Sequence, residues 1–185
     1  MPTVDSPAAG GIAPALRRLY FVRFGFAVVW AALLFTTKAD LGPLGVTLVV
    51  IYPLFDVAAA VVDARSARDT GSIRALQVNM AISLITAVGL AIASASGVPA
   101  VLRVWGAWAI VSGIVQLIVG VVRRRLGGQW PMIISGGISV LAGGSFVMGA
   151  SATDPQLSNV AGYAVLGGIF FLVSALRLGR ATRVS

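Results

Sequence analysis

An apolar run of about 20 residues constrains this chain more than any other feature. The run, VPAVLRVWGAWAIVSGIVQLIVGVVRRR, begins beside Pro99 and ends at three consecutive arginines, Arg123, Arg124 and Arg125. A helix needs about 20 mostly apolar residues to cross the hydrocarbon core of a bilayer. The run therefore predicts a transmembrane helix, and the same layout recurs before and after it.

Six such runs divide the chain, and they leave little room for anything else. The predicted spans are residues 19–36, 44–62, 75–95, 101–122, 130–150 and 160–176. Only 11% of the residues are charged, whereas soluble domains carry roughly 25%. We expect an all-α polytopic membrane protein with one transmembrane domain, residues 16–180. Residues 1–15 and 181–185 are expected to be tails, the first of them disordered.

The residue inventory argues against an enzyme. The chain has no Cys, no His and no Glu, so thiolate nucleophiles and the usual zinc and haem ligands are missing. We therefore predict no catalytic residue, no metal site and no cofactor. The net charge of +8 comes from arginines at the ends of apolar runs, a pattern typical of contact with anionic lipid headgroups and not of nucleic-acid binding.

The positions of these arginines predict an orientation. They lie before the first span, after the second and fourth spans, and at the C-terminus. By the positive-inside rule both termini are cytoplasmic, in a bacterial inner membrane, and the three proline-containing turns face outward. A six-span bundle is thin, so homo-oligomerisation is left open.

A spacing of 56 residues relates three parts of the chain. The turn prolines keep this spacing, at Pro43, Pro99 and Pro155. Three arginines keep it too, at Arg68, Arg124 and Arg180. The spacing predicts three tandem two-helix repeats, residues 16–71, 72–127 and 128–180. Because each repeat holds two spans, all three have the same orientation, and a pseudo-threefold bundle is the simplest arrangement.

Small side chains recur every four residues along the first, third and fifth spans. Each stripe begins at a polar position, Arg23, Asn79 or Ser135. The stripes continue through Ala27, Ala31, Ser83, Ala87, Ser139 and Gly143. A spacing of four places each stripe on one helical face, where small residues let membrane helices pack closely. We expect this face to contact other helices and not lipid, and packing alone accounts for it.

Asp56 is the most informative polar residue, because it lies inside an apolar span. A carboxylate there costs about 2.5–3.5 kcal/mol on insertion scales and is usually paired. Arg23 lies at a comparable depth in the first span, which predicts an Arg23–Asp56 ion pair. In one interpretation Asp56 is a buried structural anchor while Arg23 extends to the interface. In the other, the two residues contact a proton or a solute.

Weaker polar signals complete the set of intramembrane candidates. Shifting the Arg23 and Asp56 positions by 56 residues gives Asn79 and Ser112, and a second shift gives Ser135 and Gly168. These are the corresponding pairs in the second and third repeats. Gln116 shares a helical face with Ser112, which suits an interhelical hydrogen bond. Three tryptophans, Trp105, Trp108 and Trp130, are placed as interfacial belt residues are. Trp30 lies deeper and is expected to pack.

Three segments resemble the bacterial HdeD-like membrane proteins, which are small six-span proteins built from short repeats of unknown function. These segments are WAIVSGIVQLIVGVVRRR (108–125), GGISVLAGG (136–144) and YAVLGGIFFLVSALRLGR (163–180). The first copy departs most, since FDVAAAVV (55–62) lacks the glycine seen at Gly113 and Gly168. The resemblance implies an inner-membrane location and a part in acid resistance, without any catalytic or binding residue.

Three functions follow as hypotheses. The first is a non-enzymatic membrane protein of acid or envelope stress. The second is a small proton- or solute-coupled transporter or channel that uses Asp56 and Arg23. The third, a lipid-processing membrane enzyme, is disfavoured because His, Cys and Glu are missing.

Overall fold

The computed structural model describes residues 9–37, 41–66, 73–122 and 130–181. Within these ranges the chain forms six α-helices and no strand. The helices are α1 (Ala9–Thr36), α2 (Pro43–Ser66), α3 (Ile73–Ser94), α4 (Val98–Val122), α5 (Trp130–Gly149) and α6 (Ser158–Ala181). Each contains a segment that is long and apolar enough to cross a membrane. The prediction of an all-helical chain with six apolar helices is thus confirmed.

The helices extend beyond the predicted spans at several ends. Helix α1 begins at Ala9, so part of the predicted disordered tail is helical, as its alanine content favours. Helix α2 continues through Asp63 and Arg65, which were expected in a polar connection. Polar side chains mark where a helix leaves the bilayer and do not by themselves end it. The arginines at positions 68 and 123–125, and residues 1–8 and 182–185, lie outside the described residues.

Two of the predicted outer turns show how proline starts the next helix. Pro43 is the first residue of α2, and Pro99 is the second residue of α4. Proline suits these positions because the first helical N–H groups have no intrahelical partner. Gly97 precedes α4 with φ of +87°, a conformation that L side chains rarely adopt. Proline and glycine together therefore set the sharp reversal between α3 and α4.

The six helices form a closed ring in chain order. The most extensively packed neighbours are α4 with α5, α6 with α1, and α2 with α3. The pairs α1–α2, α3–α4 and α5–α6 pack less extensively. The tight pairs therefore join one 56-residue segment to the next, whereas the two helices within each segment are looser neighbours.

Buried positions recur with the same spacing. In the odd-numbered helices the recurring buried positions are Ala27, Ala31 and Leu34, then Ser83, Ala87 and Leu90, then Ser139, Gly143 and Phe146. In the even-numbered helices Val49, Trp105 and Ala161 are all fully buried. These faces converge on one apolar core that also includes residues near the proline-containing turns, such as Val101 and Leu157.

The outward face of the ring is strongly apolar. Leu141, Met148 and Ile85 are 76%, 73% and 72% exposed, respectively. Contiguous apolar surface of this kind is rare on soluble monomers and typical of membrane or protein contact. The surface is compatible with a bundle that faces lipid on all sides.

Candidate functional site

Asp56 lies at the centre of a polar cluster that joins three helices. Asp56 is only 9% exposed. Asp56 Oδ1 on α2 accepts a hydrogen bond from Arg23 Nη2 on α1, and the two side chains form an ion pair. Asp56 Oδ2 accepts from two side chains of α3, Asn79 Nδ2 at 2.8 Å and Ser83 Oγ at 2.9 Å. We call these four residues the Asp56 cluster.

Two aromatic side chains extend the cluster to the remaining neighbours. The Arg23 guanidinium carbon lies 4.1 Å from the ring centroid of Phe171 on α6, a cation–π distance. Trp108 Nε1 on α4 donates to Ser83 Oγ at 3.3 Å. Five of the six helices therefore contact the Asp56 cluster or a residue that touches it. The cluster ties together a large part of the ring.

The geometry leaves the carboxylate little capacity for an outside ligand. A carboxylate has about four acceptor positions, and donors from the chain itself occupy three of them. The Arg23 and Asp56 side chains are 17% and 12% exposed. A charge taken out of water is tolerated when it is paired and hydrogen-bonded. The arrangement therefore provides strong interhelical fixation and only a small accessible surface.

The other polar candidates do not join this cluster. Ser112 Oγ on α4 is buried and has no hydrogen-bond partner among the described residues. The Ser135 carbonyl accepts from Ser139 Oγ at 2.9 Å within α5. Gln116 is half-buried on α4. The structure thus brings Arg23 and Asn79 to Asp56 and leaves the remaining candidates elsewhere.

The small-residue stripes lie at the tight helix pairs. All six stripe positions are buried. Ser83 belongs to the Asp56 cluster at the α2–α3 pair, and Gly143 lies against Gly106 at the α4–α5 pair. Ser139 Oγ also hydrogen-bonds Tyr163 Oη at 2.9 Å, across the looser α5–α6 pair. A Cβ added to Gly168 on α6 would lie 3.1 Å from the Ala27 Cβ. In the structure the stripes face other helices.

Glycines bring α4 and α5 into backbone contact. A Cβ added to Gly106 would lie 2.6 Å from the Gly143 carbonyl oxygen, and one added to Gly113 would lie 2.7 Å from that of Gly136. Cβ atoms are essentially never found so close to another heavy atom. Only glycine fits these four positions without moving the helices apart. Close approach of this type is a main source of affinity between membrane helices.

An aromatic cluster occupies the core where the sequence predicted belt residues. Trp105 is 0% exposed and lies 5.4 Å from both Trp30 and Trp108, measured between ring centroids. Trp30 Nε1 donates to the Leu48 carbonyl at 2.6 Å, and Tyr52 lies against all three indoles. The prediction of Trp105 as an interfacial residue is therefore wrong. Its side chain faces the inside of the ring, where other aromatic rings surround it.

The described residues contain no group of three Asp, Glu, His or Cys side chains that could hold a metal ion.

No protein-family model matches the chain, and neither a curated protein nor a solved structure matches it. The function is therefore inferred from the fold and the Asp56 cluster.

Proposed function

We propose that this chain is a multi-pass protein of the bacterial inner membrane with both termini in the cytoplasm. Six helices of membrane-spanning length support the location. The orientation follows from the arginines, which would contact anionic headgroups of the inner leaflet. The recurrence of buried positions and of tight helix pairs every 56 residues supports a threefold repeated hairpin.

The proposed role of the protein is non-enzymatic, with the bundle itself as the working unit and Asp56 as its internal anchor. One observation carries this inference: both Asp56 oxygens accept hydrogen bonds from donors of the same chain, on α1 and α3. A group that takes up and releases protons or solutes needs an acceptor position that is open to them. In Asp56 most of this capacity is used for helix contacts.

Acid or envelope stress is the proposed physiological setting. Its support is the resemblance of segments 108–125, 136–144 and 163–180 to HdeD-like proteins. A strain that lacks the gene should survive transient acid exposure less well than the parent, and a plasmid copy should restore survival. Equal survival of the two strains would remove the stress role and leave the architecture untouched.

Reporter fusions test the topology directly. A fluorescent protein fused after residue 183 should fluoresce, and a phosphatase fused there should be inactive, because the C-terminus is cytoplasmic. The same phosphatase inserted into the turn at 151–156 should be active. An active phosphatase after residue 183 would contradict the orientation.

The alternative function is a proton- or solute-coupled transporter, and the residual exposure of Arg23 and Asp56 is the observation in its favour. Protein reconstituted into liposomes with an internal pH dye separates the two functions. The anchor function predicts no proton flux above that of empty liposomes, for both the wild type and Asp56→Asn. Flux in the wild type that Asp56→Asn abolishes, while the protein stays folded, would establish the transporter.

A further inference from the structure

A groove opens on the bundle surface between α5 and α6, the loosest neighbouring pair in the ring. Its volume is about 610 Å³. Its apolar wall includes Phe35, Ile138, Ala142 and Leu166. Because these residues belong to helices that are long and apolar enough to cross a membrane, the wall would lie in the hydrocarbon region of the proposed bilayer. We call this the α5–α6 groove.

The α5–α6 groove continues toward the outer turn and becomes polar there. A smaller groove of about 190 Å³ shares Ser145, Phe146, Ser158 and Asn159 with it and adds Asp154 at the mouth. Gln156 Nε2 donates to Asp154 Oδ2 at 2.8 Å, which positions the exposed carboxylate. The groove thus has an apolar length, a rim of hydroxyl and amide groups, and a negative charge at its outer end.

Comparison with the first hairpin explains why the groove is there. Corresponding positions of the first and third hairpins are two repeat lengths, or 112 residues, apart. The first hairpin has Trp30 where the third has Ala142, and Val50 where the third has Gly162. Trp30 is 2% exposed and lies against Tyr52 with its centroid 4.6 Å away. A Cβ added to Gly162 would meet nothing within 4 Å. The first hairpin fills with its own apolar side chains the space that the third leaves open.

We propose that the α5–α6 groove binds one phospholipid with a primary ammonium head group, as in phosphatidylethanolamine. One acyl chain lies along Ala142 and Gly162, and the ammonium group pairs with Asp154. The Asn159 amide is the donor at this rim for the lipid phosphate, because Ser145 Oγ donates to the Ala142 carbonyl at 2.7 Å and Ser158 Oγ donates to Gln156 Oε1 at 3.4 Å. Charge complementarity at the mouth selects an ammonium lipid over an anionic one. The proposal rests on the proposed membrane location and goes beyond it.

Native mass spectrometry of the purified protein tests the proposal with two probes of equal acyl length, phosphatidylethanolamine and phosphatidylglycerol. The wild type should retain one phosphatidylethanolamine and bind it more tightly than phosphatidylglycerol. Ala142→Trp with Gly162→Val restores the side chains of the first hairpin and should weaken retention about tenfold, which corresponds to about 1.4 kcal/mol. Leu141→Trp, on the 76% exposed outer face, is the control and should bind as the wild type does.

Asp154→Asn tests the head group and leaves the bundle intact, because Asp154 is exposed in the turn. It should bring the affinities for the two lipids together while keeping an acyl chain bound. If the double variant does not fold, Gly162→Val alone carries the steric test. Equal binding of both lipids by the wild type, or unchanged retention by the groove-filling variants, would overturn the proposal. Either result leaves the reporter topology as it is, so failure here is distinct from failure of the membrane assignment.

Discussion

Two helix pairs occupy corresponding places in the ring and are held by opposite chemistry. The α2–α3 pair meets through the Asp56 carboxylate and its donors on α3. The α4–α5 pair meets through backbone contact at two pairs of glycines. Asp56 and Ser112 are 56 residues apart in sequence, so the same register position carries a charge in one pair and a buried hydroxyl in the other.

The difference teaches that a close helix contact can be specified by shape or by charge. Glycines allow extensive van der Waals contact and bury no charge. The Asp56 cluster bears the desolvation cost of an ion pair, and its advantage is that only one alignment of α1, α2 and α3 satisfies all its donors. The third pair, α6–α1, combines the two, with Gly168 against Ala27 and Arg23 over Phe171.

Among variants of these helix contacts, Arg23→Ala should lower the free energy of unfolding the most. It removes the cationic partner of Asp56 and the cation–π contact with Phe171 at once. We expect a loss of about 3 kcal/mol in the free energy of unfolding, the lower end of the range for breaking a buried pair, since Asn79 and Ser83 still donate. Reversible unfolding in mixed micelles measures it. Arg18→Ala, at an exposed position, is the control, and equal losses for both variants would show that the charge pair contributes nothing.

Gly136→Ala should have the second largest effect, a loss of about 1–3 kcal/mol in the free energy of unfolding. The reason is that the added methyl meets the Gly113 carbonyl oxygen at 2.8 Å. Its neighbour on the same helix supplies a matched control. A Cβ at Gly137 meets nothing within 4 Å, so Gly137→Ala should be neutral or stabilise by up to about 1 kcal/mol. The same unfolding measurement applies to both. If both variants lose stability equally, the backbone contact does not hold α4 against α5.

Ser83→Ala should have the smallest effect, about 0.6 kcal/mol, the average for interhelical hydrogen bonds in a membrane protein. Asp56 keeps Arg23 and Asn79 in this variant, while Trp108 loses its acceptor. Tryptophan fluorescence should therefore shift together with the small stability change. A loss as large as that of Arg23→Ala would mean that the cluster acts as one cooperative unit.

The sequence could predict contacts of the site only between helices that it also predicted to be neighbours. Apolar length and the proline turns predicted the helices, and similar depth pointed to the pairing of Arg23 with Asp56. The contact between Asn79 and Asp56 was not predicted, because a hairpin argument pairs helices within one repeat. The tight contacts instead join α2 to α3, across the boundary between two predicted repeats.

Side-chain direction was the harder part to predict. A helix that is apolar on all sides has no amphipathic pattern to show which face is inside. Trp105 and Trp130 look alike in sequence, yet the first is 0% exposed and the second 72%. Of the four glycines in contact between α4 and α5, only Gly143 was predicted to face another helix, since nothing local shows which glycines of a helix meet a partner.

Closure of the ring has a consequence for the order of assembly. The ring closes where the beginning of α1 meets the end of α6, since a Cβ on Gly179 would lie 2.8 Å from the Arg17 guanidinium. A ribosome delivers α1 first and α6 last. The surface of α1 around Phe24 and Ala27 must therefore remain in lipid, or against a temporary partner such as an insertase, until α6 has been synthesised. We expect this seam to be the last to form.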